Sequence, residues 1–315
     1  MRLFVAANFV MACCWRVQRL PREGETLLSS SFAAEPGGKG LNVAIGARRL
    51  GAEVDALLGI GRDAAGDRLL ALLAEEGMAP DHAYRLADSS GHGCGLIDAH
   101  GRNSIAVCLG PNLLLEPRHA DAAAEEIARA DAVYGQFETS LGALQRVFEI
   151  AARHGRLTVL NPSPYQPIPA ELLALTRVLL ANEVEAAELL DWQLPQGASL
   201  SDCAASLDAA AQAFWPRWPQ GQLLLLTLGA LGAVALRRDR PPLAVPGFAV
   251  AVQDSMGAGD AFAAGLLTQL LSGQDLAASL RVANACGALM CMRAGVLQGL
   301  PRAADLQAFL LRAAA

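Results

Sequence analysis

Lysine is nearly absent from this 315-residue chain, which carries its positive charge on arginine and has a single lysine, Lys39. No run of basic residues occurs, the net charge is −6 and the pI is near 5.4. Such a chain lacks the basic face that binds nucleic acid or an anionic membrane surface, so we expect neither partner. A lone lysine indicates a role that the wide, planar guanidinium of arginine cannot fill.

Cysteine pairs with metal-binding or redox spacing are also missing. The seven cysteines form no Cys-x-x-Cys motif, and no histidines complete a zinc-binding spacing. We therefore expect reduced cysteines in a cytoplasmic protein. The apolar run from Leu3 to Trp15 is too short to cross a bilayer, and Arg16 follows where a signal peptide would be cleaved. This run is predicted to begin with a buried strand.

Aromatic residues are scarce, at 5%, and charged residues make up 18%, whereas 53% of the chain is hydrophobic. This composition supports a large aliphatic core and excludes a disordered or fibrous protein. No internal repeat or low-complexity linker divides the chain, so we expect one domain covering residues 1–315. Short apolar segments alternate with helical stretches, which predicts an α/β fold with a mostly parallel sheet.

Two kinds of segment interrupt this alternation. Residues 13–33 and 92–109 have the pattern of β-hairpins, the second turning at residues 99–101. We expect them to form a small β-sheet lid beside the main sheet. Residues 193–201 and 214–222 are rich in Pro, Gln and Trp, and they are expected to be surface loops around a helix.

The strongest local motif runs from Asp254 to Asp260 and precedes an apolar helix. Its small residues Gly257, Ala258 and Gly259 allow a tight turn that brings backbone N–H groups close to an anion, at the positive end of the helix dipole. An aspartate beside such an anion hole is placed to take a proton from an attacking hydroxyl. Asp260 is therefore the predicted catalytic base.

A second glycine-rich segment, Gly37-Gly38-Lys39-Gly40, precedes another helix, and Asn42 lies in its first turn. The Asn42 amide is placed to hold a hydroxyl, although the segment taken alone also fits a strand-to-helix turn without a ligand. It is not a P-loop, because the Gly-x4-Gly-Lys-Ser/Thr spacing is absent from the chain. A dinucleotide fingerprint starting at Gly59 fits poorly, since Ala64 replaces its third glycine.

Together these two motifs resemble both signatures of the ribokinase-like (PfkB) sugar kinases. Four further segments resemble landmarks of that family in the expected order, namely residues 133–138, 161–164, 182–185 and 227–232. The resemblance covers nearly the whole chain. It implies a three-layer αβα domain with a mostly parallel sheet and a small β-sheet lid. It also implies phosphoryl transfer from ATP to a hydroxymethyl group of a sugar, such as a pentose or a ketohexose.

The resemblance implies roles for individual residues. Asp260 would deprotonate the acceptor hydroxyl, while the N–H groups of residues 257–259 would stabilise charge on the transferred phosphoryl group. Four residues match positions that contact the acceptor: Gly38, Lys39, Asn42 and Glu138. Four others match positions near the nucleotide: Asn182, Thr227, Gly229 and Asn284.

Two cations are also implied by the resemblance. Asn182 and Glu185, in the Asn-x-x-Glu motif of the family, would hold Mg²⁺ through water, because Mg²⁺ sheds its hydration shell reluctantly. Asp254, with backbone carbonyls near Gly295, would form a site for a monovalent cation such as K⁺. The cofactors expected on this basis are ATP, Mg²⁺ and K⁺.

The chain departs from the family at the acceptor site. An aspartate that grips two sugar hydroxyls is usual at the end of the first strand, where this chain has Ala12, and an asparagine is common where it has Val10. Hydrogen bonds to charged groups are each worth about 1.5–3 kcal/mol, so the usual sugar would bind less tightly. Asn8, Cys13 or Trp15 would then line the pocket.

Several alternatives therefore stay open for the acceptor. Ribose, a different pentose, a ketohexose, a nucleoside and a sugar phosphate are all candidates, and Arg16 or Arg102 on the lid would pair with a phosphate. A non-catalytic sugar- or nucleotide-binding regulator is a further alternative. The lid strands are apolar, which together with the resemblance predicts a homodimer that pairs through the lid.

Overall fold

The computed structural model describes residues 1–100 and 103–313, and within them thirteen strands form two sheets. Most strands are short and apolar, as strands buried inside an α/β protein are. Their bounds are β1 Arg2–Ala6, β2 Val10–Arg16, β3 Ser31–Gly37, β4 Glu53–Gly61, β5 Ala83–Ala87, β6 Gly91–Ile97, β7 Asn103–Cys108, β8 Ala132–Gln136, β9 Leu157–Asn161, β10 Val178–Asn182, β11 Leu223–Thr227, β12 Gly232–Arg237 and β13 Arg240–Pro246.

Twelve α-helices lie in the same described residues. Several begin with a side-chain cap, such as Ser140 before the fifth helix and Asp275 before the tenth. Their bounds are α1 Lys39–Arg49, α2 Ala64–Glu75, α3 Pro117–Ala122, α4 Ala124–Arg129, α5 Leu141–Arg153, α6 Ala170–Leu175, α7 Glu183–Leu190, α8 Leu200–Phe214, α9 Ala258–Leu271, α10 Leu276–Cys291, α11 Val296–Gly299 and α12 Ala303–Arg312.

The large sheet has nine strands in the order β13-β12-β11-β10-β9-β8-β1-β4-β5. The seven strands from β11 to β5 are parallel, and β12 and β13 continue the sheet as an antiparallel edge. Polar side chains follow the carboxyl ends of four adjacent strands. Gln136 is in register with Asn161, and Asn182 is in register with Thr227. Ligands bind at this edge of open α/β sheets, so this is where a site is expected.

Helices cover both faces of the large sheet. One apolar cluster joins alternate strand residues such as Leu3 and Val5 to helices α1, α2, α9, α10 and α12. The other joins Phe4 and Ala6 to helices α3–α8. Because neighbouring strand residues point to opposite faces, the two clusters are separate layers of one three-layer αβα fold. This architecture confirms the predicted fold class.

The small sheet has four strands in the order β3-β2-β6-β7. It begins at Val10 and includes Gly37, so it is longer than the predicted segment 13–33. Strands β2 and β6 pair in parallel, which joins the two hairpin segments into one lid. Ala12 therefore lies in β2 of the lid, in register with Glu35 and Gly93, and not at the end of the first strand of the main sheet.

The segment 214–222 differs from the predicted surface loop. Trp215 and Trp218 are buried, with their rings stacked 5.5 Å apart, and the Trp218 indole donates to the Thr176 carbonyl at 2.9 Å. The proline and glutamine content of the segment favoured an exposed loop. Burying two large aromatic rings stabilises the folded chain more than hydration of a short loop would. Among the described residues, no helix is long and apolar enough to cross a bilayer.

Candidate active site

Two helix N-termini meet at the carboxyl edge of the large sheet. Helix α9 follows Gly257, whose φ of 75° is left-handed and strongly favours glycine, and Asp260 lies in its first turn. Helix α1 follows Gly38, with a φ of 123°, and carries Asn42 in its first turn. The Asn42 amide nitrogen donates to Asp260 Oδ2 at 2.7 Å. The structure thus brings the two glycine-rich motifs together, although they are more than 200 residues apart in the chain.

Asp260 is buried with only 9% of its surface exposed. Burial raises the pKa of this carboxyl to about 6, against the opposing effects of the Lys39 charge and the Asn42 hydrogen bond. Glu138 and Glu185 raise the pKa further. A carboxylate with a pKa just below neutrality is ionised at pH 7 and still basic enough to accept a proton, which suits a general base.

Lys39 is partly buried and faces three carboxylates. Burial lowers the pKa of its ammonium group, but the charges of Asp260, Glu138 and Glu185 outweigh that effect and raise the pKa above its usual value. Lys39 therefore remains charged throughout the physiological range. Its positive charge opposes the build-up of negative charge in a pocket that contains three acids.

A buried amide network holds Glu138 beside Lys39. Asn8 Nδ2 donates to Glu138 Oε2 at 2.9 Å, and Asn8 Oδ1 accepts from the Gly40 N–H at 2.9 Å and from Gln136 Nε2 at 3.0 Å. Gln136 Oε1 accepts from the Glu138 N–H. Asn8 is fully buried and its oxygen already has two donors, so it supports the acceptor pocket from behind.

The glycines of the second motif are explained by this network. A Cβ atom at Gly40 would lie 2.6 Å from the Ala7 Cα, and one at Gly38 would lie 2.6 Å from the Asn8 carbonyl oxygen. No flexible side chain relieves these contacts, because both are with backbone. The absence of a side chain at both positions lets the start of α1 rest directly on the end of β1.

One polar atom in the site has no partner. Asn42 Oδ1 is buried and makes no hydrogen bond to any described residue, while its amide nitrogen is used by Asp260. Buried side-chain oxygens are rarely left unpaired in folded proteins, and exceptions mark functional positions. A ligand hydroxyl that donates to this oxygen would lie next to the Asp260 carboxylate.

Asn182 and Glu185 form a reciprocal cap at the start of α7. Asn182 Oδ1 accepts from the N–H groups of Val184 and Glu185, both at 2.9 Å, and Glu185 Oε2 accepts from the Asn182 N–H at 3.0 Å. Asn161 Nδ2 also donates to Glu185 Oε2 at 3.2 Å. The Asn182 oxygen is thus committed to the helix, whereas Glu185 Oε1 takes part in none of these bonds.

The residues expected near the nucleotide surround the same edge. Thr227 ends β11 beside Asn182, and its hydroxyl donates to the Ala181 carbonyl at 3.5 Å. Gly229 has a left-handed φ of 54°, with open space where a side chain would project. Asn284 instead ties α10 to β13, because its amide nitrogen donates to the carbonyls of Val245 and Pro246 at 3.0 Å.

Asp254 lies in the loop before the anion hole. Its Oδ1 accepts from the Met256 N–H at 3.0 Å, and the N–H groups of Gln253 and Asp254 donate to the Cys291 carbonyl.

No cluster of three or more His, Cys, Asp or Glu side chains in the described part of the chain is arranged to hold a metal ion. Mg²⁺ often binds through one or two carboxylates together with substrate phosphates, which the single oxygen of Glu185 fits.

The predicted residues thus separate into groups. The structure brings together Asp260, Asn42, Lys39, Glu138 and Glu185, with residues 257–259 at the start of α9. Arg16 is exposed at the end of β2 in the lid, and Arg102 lies outside the described residues. Asn8 was expected to line the acceptor pocket but supports it from behind, and sequence reasoning missed the supporting roles of Gln136 and Asn161. Their position at the carboxyl ends of predicted strands was the available signal.

Comparison with known proteins shows the family and the fold of the chain. The model of the pfkB family carbohydrate kinases matches residues 5–303. The chain is 29% identical over 290 residues to a ribokinase of Haemophilus influenzae and 31% identical over 290 residues to one of Bacillus subtilis, with 92% of each chain covered in both cases. Its fold matches that of Arabidopsis thaliana ribokinase, solved with ribose and ATP, with a TM-score of 0.87 at 24% identity and 98% of both chains covered. The chain therefore belongs to the pfkB family of carbohydrate kinases.

Proposed function

We propose that this kinase transfers the terminal phosphoryl group of ATP to a hydroxymethyl group of a sugar, with Asp260 as the general base. The observation that carries the proposal is the buried Asp260 carboxylate, bonded to Asn42 at 2.7 Å and located in the first turn of a helix that begins with a glycine turn. In this position Asp260 takes the proton of the attacking hydroxyl, and the N–H groups beside it bind the phosphoryl group that the hydroxyl attacks.

Asn42 contributes in two ways to this chemistry. Its amide nitrogen fixes one oxygen of Asp260, so the other oxygen is directed to the acceptor. Its unpaired oxygen accepts a hydrogen bond from the acceptor and orients the hydroxymethyl group. As the phosphoryl group arrives, the hydroxyl proton passes to Asp260, and the N–H groups of residues 257–259 stabilise the phosphoryl oxygens.

The residues proposed for the nucleotide and for the two cations lie around the same edge of the large sheet. Thr227 and Gly229 flank the nucleotide, and Asn284 supports that region by fixing the end of β13. Glu185 would hold hydrated Mg²⁺ through Oε1, and Asn182 would position Glu185 through the helix cap. Mg²⁺ would neutralise charge on the ATP phosphates. Asp254, with carbonyls near Gly295, provides the proposed monovalent-cation site.

Lys39, Glu138 and Gly38 form the acceptor side, with a pentose or a ketohexose as the first candidate. A nucleoside or a sugar phosphate is the second candidate, and the observation that favours it is Ala12. This side chain cannot bond a hydroxyl, and its Cβ lies 3.4 Å from the position of a Cβ at Gly37, so this wall is small and apolar. Such a wall accommodates an acceptor with a bulkier or less hydroxylated group.

The lid leaves large apolar side chains exposed, which supports the proposed homodimer. Phe32 is 57% exposed, Ile105 53% and Val107 46%, and they lie on β3 and β7, the two edge strands of the four-stranded sheet. Exposed apolar surface of this kind marks interfaces. Light scattering at several protein concentrations tests the dimer.

None of the seven cysteines, all within described residues, forms a disulfide, in keeping with the proposed cytoplasmic location.

The proposal is tested by measuring ADP formation with ATP and Mg²⁺ across a panel of pentoses, ketohexoses, nucleosides and sugar phosphates. At least one acceptor is expected to support turnover, and Asp260→Asn is expected to lower kcat by about 10²–10⁴-fold. Calorimetry on the same variant checks that ATP still binds. Full activity in Asp260→Asn would refute the assignment of the base, and binding without any transfer would favour a non-catalytic regulator.

A further inference from the structure

Glu35, on lid strand β3, makes a contact that the proposed chemistry does not use. Its Oε1 accepts from the Val296 N–H at 2.6 Å, and its Oε2 accepts from the Leu297 N–H at 3.3 Å. These donors begin α11, where backbone N–H groups have no partner within the helix. The lid is thus tied to the main domain by a carboxylate 261 residues distant from Val296 in sequence.

Val296 in turn contacts the start of the anion hole. A Cβ atom at Gly257 would lie 3.2 Å from Val296 Cγ1 and 3.0 Å from Met290 Cε, so both side chains pack against that glycine. Gly257 is the N-cap of α9 and has a left-handed φ, which makes the direction of the following N–H groups sensitive to its surroundings. Two successive contacts, from Glu35 to Val296 and from Val296 to Gly257, therefore connect Glu35 to the start of the anion hole.

Glu35 also lies next to the acceptor wall. It is in register with Ala12 across the β2–β3 pair, and both side chains are on the same face of the lid. On this face the Glu35 carboxylate accepts from the N–H groups of Val296 and Leu297, so the face is turned toward the main domain. Ala12 thus lies next to the side chain that holds Val296.

We propose that Glu35 is a positioning residue that couples the lid to the anion hole. With the lid in place, Glu35 fixes residues 296 and 297, and Val296 holds Gly257 in the conformation that directs the N–H groups of α9 to the phosphoryl group. This inference rests on the proposed function, because it assigns phosphoryl binding to residues 257–259. It predicts that loss of Glu35 weakens transition-state stabilisation more than it weakens binding of either substrate.

The test compares Glu35→Ala with Glu35→Gln, which keeps an oxygen for the Val296 N–H, and with Glu23→Ala, which removes an exposed lid carboxylate. In Glu35→Ala we expect kcat to fall at least tenfold while KM for ATP and for the acceptor changes less than threefold. Glu35→Gln should recover most of kcat, and Glu23→Ala should match the unmodified protein. Thermal unfolding of each variant accompanies the kinetics.

Hydrogen exchange gives a readout that needs no turnover. In Glu35→Ala, the amides of residues 296–297 and also those of residues 257–260 are expected to exchange faster, and in Glu35→Gln much less so. Faster exchange at 296–297 alone, with kcat unchanged, would overturn the proposal and leave Glu35 as a local cap. If Asp260→Asn proves fully active, the proposed function fails, yet exchange at 257–260 still decides the coupling. Should Glu35→Ala not fold, Val296→Ala removes the contact with Gly257 while keeping the backbone hydrogen bond to Glu35. It is expected to lower kcat and speed exchange at 257–260, and no change in either would overturn the proposal.

Discussion

Replacing Lys39 by glutamine is expected to raise the pH at which Asp260 becomes active as a base. Burial raises the pKa of Asp260 to about 6, and the positive charge of Lys39 is the largest effect that opposes this rise. Glutamine removes the charge while keeping a side chain of similar length. The carboxyl of Asp260 then faces Glu138 and Glu185 without a compensating cation, so its pKa rises further.

The size of the shift follows from the geometry. No ion pair within 4.0 Å links Lys39 to a carboxylate in the described residues, so the charges interact across a longer distance. Two unit charges about 6 Å apart, at an effective dielectric constant of about 20, interact by about 3 kcal/mol. Since 1.36 kcal/mol corresponds to one pKa unit and water enters the free site, we expect a shift of about 1–2 pH units.

The assay is kcat/KM for the best acceptor between pH 5 and pH 9, because this ratio reports the pKa values of the free enzyme. In the unmodified protein the acidic limb should bend near pH 6, and in Lys39→Gln near pH 7–8. Lys39→Arg is the matched control, since it keeps the charge but not the shape. The acidic limb of the Lys39→Arg profile should still bend near pH 6, even if the maximal kcat/KM of this variant falls. An unshifted limb in Lys39→Gln would refute this reasoning.

Three further predictions concern stability and packing. The pKa of Asp260 is raised from 3.8 to about 6 in the folded state, so the free energy of unfolding falls as pH rises through that window. Asp260→Asn should therefore stabilise the protein by up to about 3 kcal/mol at pH 7.5 and by little at pH 4, as measured by urea unfolding. Gly40→Ala should cost about 1–3 kcal/mol in the same assay, because its Cβ meets the Ala7 Cα at 2.6 Å. Gly142→Ala is the matched control, because Gly142 also lies in the first turn of a helix, has no left-handed φ, and its Cβ would lie 3.8 Å from the nearest neighbouring atom. Trp218→Ala should lower the free energy of unfolding by about 3–5 kcal/mol, and an effect below 1 kcal/mol would contradict its burial.

Many local features were predictable from the sequence because they depend on neighbouring residues. The alternation of apolar segments and helical stretches predicted the α/β class, and the structure has that class. The glycines before α1 and α9 predicted tight turns, which the structure shows as positive φ angles at Gly38 and Gly257. The burial of Trp215 and Trp218 within segment 214–222 was not predicted, because composition alone does not report that their indole rings stack on each other inside an apolar cluster.

The sequence by itself determined the family signatures, the two glycine turns and the acid that follows the second of them. The tertiary structure alone decided which groups act on that acid. Asn42 and Asp260 are 218 residues apart, and Asn8 and Glu138 are 130 apart, so their contacts depend on how strands and helices pack. A pKa depends on burial and on charges within a few ångströms, which local sequence does not specify. For the same reason Glu35, an ordinary strand residue in sequence, becomes visible as a link to Val296 only in the folded chain.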